Sequence, residues 1–158
     1  MSPKYDSRKQ FPIEELGKPA PQSLSIAIEG CCHGELDNIY KRLEDYEKET
    51  GRKIDVLICC GDFQSLRNKA DFRSSSIPHK YRKLGTFPHY YAGEKKAPVL
   101  TLFVSGNHEA SQPLRELYYG GWVAPNIYYL GAAAGKYSIQ KFFILFYWTW
   151  LNELPRSV

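Results

Sequence analysis

The chain has 158 residues, a net charge of +4 and a hydrophobic share of 43%, with aromatics at 15%. That length supports one domain with a core, and that apolar share excludes a disordered chain. The charge is uneven: Ser65–Pro98 holds eight basic residues against two acidic ones, a net of +6, the balance of a polyanion-binding segment or of a solvated loop.

Residues 1–22 are polar and carry Pro3, Pro12, Pro19 and Pro21, which predicts a loose extension. The apolar run Ser23–Ile28 predicts a buried strand. Leu36, Ile39, Tyr40, Leu43 and Tyr46 follow at near-helical spacing, and Gly51 stops the pattern, so 36–50 reads as an amphipathic helix. Lys53–Cys60 predicts a second strand, closed by Gly61-Asp62. A short helix is expected at the start of the basic segment, with Pro78, Pro88 and Pro98 breaking the remainder. Ala97–Gly106 predicts a third strand, followed by Asn107-His108-Glu109 and a turn of helix near Ser111. "NIYYLG" and the region of "GKYSIQKFFILF" read as two further strands. Strand, helix, strand, long connection, strand is the order of an α/β sheet with parallel neighbours. The run Phe142–Leu151 is too short to span a bilayer, so no membrane association is expected. It reads as a buried strand or as an exposed, aggregation-prone segment.

The four cysteines form two adjacent pairs, Cys31-Cys32 and Cys59-Cys60. Neither has the C-x-x-C spacing of a zinc or redox motif, and a reducing compartment is expected. Neighbours in a strand point to opposite faces, so at most one of each pair faces a given site. Cys32, Cys59 and Cys60 read as small core residues.

Three polar clusters sit just past predicted strand ends: Cys31-Cys32-His33-Gly34, Gly61-Asp62 and Gly106-Asn107-His108-Glu109. In an open α/β sheet that edge is where ligands bind. A thiolate, an imidazole, a carboxylate and an amide oxygen make a donor set suited to transition metals. His108 follows Asn107 directly and is placed to act as an acid or base. Any one of these residues alone reads as an ordinary loop residue. Three clusters at three strand ends do not.

The pattern resembles the metallophosphoesterase (calcineurin-like) superfamily, whose signature runs D-x-H, G-D-x-x-x and G-N-H-[ED]. Here "GDFQS" and "GNHE" match, while the first motif reads "CCH". Cysteine in the aspartate position is similar to the RNA lariat debranching enzymes. "GCCHGELDNIY", "LICCGDFQSLRNKADF", "YYAGEKKAPVLTLFVSGNHEAS" and "YGGWVAPNIYYLG" extend that resemblance over about 23–131.

The resemblance implies an α/β fold, an incomplete calcineurin-like β-sandwich flanked by helices. Residues 23–137 would be the amino-terminal part of the domain and 138–158 a divergent apolar tail. It implies hydrolysis of the 2′–5′ phosphodiester of branched (lariat) intron RNA, in the nucleus, with two divalent ions among iron, zinc and manganese. By position, Cys31 and His33 bind one metal, Asp62 bridges, Asn107 binds the other, and His108 protonates the leaving oxygen. Lys80, Arg82 and Lys83, with Tyr81, Tyr90 and Tyr91, are the expected RNA contacts. The family's remaining ligands are histidines in later "H-D" and "G-H-x-H" segments, and none of the four histidines here lies beyond 108. The chain is therefore expected to bind at most one metal weakly, to be poorly soluble and not to debranch RNA. Two other readings compete: a non-catalytic RNA-binding or regulatory fragment, and a different metallophosphoesterase. Cys31 and the lariat-type stretches argue against the second.

Overall fold

A computed structural model describes residues 23–132 in full and the backbone of 135–139 and 142–146. The elements run β1 (Ile26–Cys31), α1 (Leu36–Thr50), β2 (Val56–Gly61), two 3-10 turns (Lys69–Ser74 and His79–Tyr81), α2 (Phe87–Tyr91), β3 (Leu100–Phe103), α3 (Ser111–Arg115), β4 (Gly121–Ala124), β5 (Ile127–Tyr129), β6 (Gly135–Ile139) and β7 (Phe142–Phe146). Five strands form one sheet in the order β1-β2-β3-β5-β4. The pairs β1–β2, β2–β3 and β3–β5 are parallel, while β4 is antiparallel to β5 at the edge. The sheet is thus mixed, with the expected parallel neighbours and one antiparallel strand at its edge. β6 and β7 form a separate antiparallel pair, so "GKYSIQKFFILF" is two strands where one was predicted. The predicted extension 1–22 lies outside the described residues, as do 147–151 of the run Phe142–Leu151, whose first five residues are described by backbone alone, and the boundary drawn at 137/138 falls within β6.

Period-two alternation divides the sheet's apolar residues between its faces. Leu57, Cys59, Phe103, Ile127 and Tyr129 meet Leu36, Ile39 and Tyr40 of α1 and Phe87 and Tyr90 of α2 in one core. Phe63, just past β2, stacks on Phe103 with ring centroids 4.0 Å apart. Each such buried side chain contributes about 1.5–3 kcal/mol. The polar atoms in this core are matched: Tyr40 Oη and Thr101 Oγ1 lie 2.9 Å apart. Val56, Ile58, Leu102, Val104 and Leu130 form a second cluster on the opposite face.

Two sequence-based assignments change. β1 is not a buried strand. Among the described residues it is an edge strand with one neighbour, and its outward residues Ile26 and Ile28 are 41% and 74% exposed. Cys60 is not a core residue: Cys59 points into the first core, so the strand alternation turns Cys60 to solvent. Cys32 and Cys59 are buried as expected. The hydrogen bond to Cys32, and then burial, raise the Cys59 thiol well above its usual range, so it stays protonated and inert.

Candidate metal centre

The parallel strands end at one edge, and the loops leaving β1 and β2 are laced together there. Past the Cys31–Gly61 pair, Cys32 N–H donates to Gly61 O (3.3 Å), His33 N–H to Asp62 O (2.7 Å) and Gly34 N–H to Phe63 O (3.1 Å). This lacing requires left-handed backbone at three non-glycine residues, His33, Asp62 and Gln64 (φ 47°, 35° and 58°). Such conformations persist only where surrounding bonds enforce them, and they gather at functional sites.

The result is a convergence of donors. One ligand atom each of Cys31, His33 and Asp62 lies within 4.8 Å of the others. Thiolate, imidazole and carboxylate fit a divalent transition metal. The third loop closes the site from behind: His108 N–H donates to Asp62 Oδ1 (2.9 Å), and its Nδ1 lies 3.5 Å from Asp62 Oδ2. The His33 and His108 rings are 5.4 Å apart. Gly106 is required by this approach, since a Cβ there would come 2.0 Å from Asp62 Oδ1.

Asn107 is placed differently. It is exposed and lines a neighbouring cavity of about 560 Å³ with Ser105 and Glu109, while its backbone carbonyl accepts from Ser76 Oγ. His33 and His108 line another cavity of about 320 Å³, together with Glu35, Gln64, Ile77, Tyr81 and Lys83.

Of the expected RNA contacts, Lys83 and Tyr81 stand on this second cavity, and Lys80 lies over the Tyr81 ring at 4.7 Å. Arg82 is turned inward: its Nε donates to Ile77 O (3.0 Å) and its guanidinium lies over Phe72. Tyr90 is not a surface platform. It is 4% exposed within the core, and its hydroxyl donates to Asp37 Oδ1 (2.7 Å).

Two residues to which the sequence reading gave no role stand beside these donors. Gln64 Nε2 lies 2.9 Å from His33 Nδ1. Glu109, buried beneath the loops, accepts from Gln64 N–H (2.6 Å), Ser65 N–H (2.9 Å) and Ser65 Oγ (3.1 Å). Burial pushes its carboxyl up to about 7 against those hydrogen bonds. Glu109 had a signal, the last letter of "GNHE". Gln64 had none.

A model of the family described as calcineurin-like phosphoesterase matches residues 24–156. The chain belongs to that family. This calcineurin-like phosphoesterase is also 62% identical over 110 residues to a human protein named lariat debranching enzyme, over 70% of this chain and 20% of the relative. It is 60% identical to "Lariat debranching enzyme A" of Xenopus laevis (70% and 21%) and 56% identical to the Arabidopsis thaliana lariat debranching enzyme (70% and 26%). The chain spans between a fifth and about a quarter of the length of these relatives. The matched family implies dependence on a divalent metal, and the donor set at the edge of this sheet could hold one.

Proposed function

We propose that this chain carries metal-binding and RNA-binding parts of a lariat debranching phosphodiesterase, which hydrolyses the 2′–5′ phosphodiester of branched intron RNA during RNA processing in the nucleus. The observation that carries the reading is Cys31 converging with His33 and Asp62. Cys31 stands where the superfamily signature has an aspartate, a departure similar to the lariat-type enzymes. The printed names of the relatives, lariat debranching enzyme, support it.

Cys31, His33 and Asp62 would hold one ion, and Asn107 is the proposed ligand of a second. A bound divalent ion supplies a Lewis acid for the phosphate and lowers the pKa of water. The chain supplies the rest. His108, fixed through its backbone to Asp62, holds a proton for the departing 2′ oxygen. Lys83, on the same cavity, attracts the phosphate backbone, and Tyr81 offers a ring to a base. The Cys31 thiolate is softer than a carboxylate, so the site favours zinc or ferrous iron, with manganese next, over magnesium. Elemental analysis tests this preference: Cys31→Asp loses zinc and iron relative to the parent, and equal retention refutes it.

The reading itself is tested by fluorescence anisotropy. The zinc-loaded chain is titrated with a short 2′–5′ branched RNA and with a linear RNA of the same composition. Tighter binding of the branched RNA, lost in Asp62→Ala and without its hydrolysis by this chain, is the expected result. Equal affinity for both RNAs with no cleavage overturns the reading.

A further inference from the structure

We infer that Gln64 is a positioning residue that sets the rotation and tautomer of the His33 ring and so selects Nε2 as the nitrogen presented to a metal. The inference rests on reading Cys31, His33 and Asp62 as metal donors.

The His33 backbone is already fixed by its left-handed φ and its N–H bond to Asp62 O. Only the ring remains to be placed. The Gln64 amide meets it at Nδ1, at 2.9 Å, which engages that nitrogen and leaves Nε2 for other partners. Gln64 cannot easily withdraw. It is 8% exposed, and its left-handed backbone is gripped by the buried Glu109 carboxylate through two consecutive N–H groups. Leu66 N–H closes a tight turn onto Gln64 O (2.7 Å). The chain of contacts thus runs from Glu109 to Gln64 to His33, joining the third motif to the first through the second.

The chemistry follows from the two ends of the amide. With its NH₂ toward the ring, His33 accepts at Nδ1 and a neutral ring carries its proton on Nε2, which cannot then ligate. A half-turn of the amide presents Oε1, Nδ1–H donates to it, and the Nε2 lone pair is free. Metal-bound histidines commonly donate their second N–H in this way, which fixes the ring and strengthens the ligand. A carboxylate at position 64 accepts only, so it favours the ligating tautomer without any turn.

Nitrogen-15 NMR of the histidine rings, with zinc alone as the probe, tests this on the parent chain, Gln64→Glu and Gln64→Met. The isosteric Met variant removes the hydrogen bond without emptying the space. In the metal-free Glu variant the neutral His33 ring is expected to carry its proton on Nδ1, while the exposed His79 stays unchanged. In the Met variant His33 loses its preference, and zinc affinity falls roughly 10- to 100-fold. The Glu variant keeps parental affinity or exceeds it. The same His33 tautomer and the same zinc affinity in all three chains overturn the inference. Failure of the parent to bind zinc refutes the metal reading instead, and the metal-free spectra still decide the role of Gln64.

Discussion

The strand-end edge and the basic segment between β2 and β3 are both loop-built, and both look functional in the sequence. The structure treats them oppositely. At the edge, polar side chains from three loops converge on a small volume, with Cys31, His33 and Asp62 within 4.8 Å. In the basic segment many charges are consumed locally. Arg67 pairs with Asp71 and Lys95 with Asp37, while Arg82 bonds a carbonyl. A motif with fixed spacing states a geometry. A run of charge states a composition, and composition leaves open whether each charge serves a ligand or the loop that carries it.

The largest effect belongs to the edge. Asp62→Ala should cost more than about 100-fold in zinc affinity, beyond the usual cost of losing a mere supporting partner. Titration against a competing chelator measures it, and a smaller loss would mean that the convergence is incidental. In a full-length version of the chain, His108→Ala should slow cleavage of branched RNA by about 10²-fold or more, the usual worth of a general acid. It should leave zinc content unaltered, and a parallel fall in metal would make His108 a ligand.

The basic segment should answer first in stability. Asp71 is 6% exposed and accepts from Arg67 Nε (3.0 Å), Nη2 (2.8 Å) and N–H (2.8 Å). Burial raises its carboxyl, but the Arg67 bonds outweigh burial and hold it below 3.8. The native state therefore binds protons less readily than the unfolded one. The resulting stability is complete above the usual carboxylate value and is lost as pH falls through the depressed native value. Asp71→Asn should destabilise by about 1.5–3 kcal/mol and flatten the acid limb of a urea-denaturation series, and an unchanged limb would assign acid lability elsewhere. The smallest effect separates recognition from architecture within one short stretch. Neutralising Lys80 and Lys83 should flatten the salt dependence of RNA binding by up to about 0.7 log units per lost single-strand phosphate contact. Arg82→Gln should lower stability more than it changes that slope.

Helix α1 was legible to the residue, because Leu36, Ile39, Tyr40 and Leu43 repeat at its period and Gly51 ends it. The three strand-end clusters were legible because each pairs a glycine with polar residues directly after an apolar run. β4 was not. Its four residues are too few to show a period, and its direction is set by a tight hairpin through Asn126 in the left-handed region. The exposure of Ile28 and Cys60 was also hidden, since it depends on which strand stands at the edge and on what covers each face. Gln64 matters through a partner 31 residues away, and no local pattern announces such a contact.

Gly34, beside His33, touches Gly85 of the basic segment backbone to backbone. A Cβ on Gly85 would meet Gly34 O at 2.3 Å, and Thr86 N–H and Oγ1 both donate to that same carbonyl. The two backbones meet directly at this point, so their separation is set by the missing Cβ of Gly85 and by the Thr86 bonds to Gly34 O. Exposed positions of that segment, Lys80 and Lys83 among them, can exchange one cation for another without changing how closely its backbone approaches Gly34. The contact works as a ruler with a single graduation. One added methyl group at Gly85 would reset it and shift Tyr81 and Lys83 relative to His33 at once.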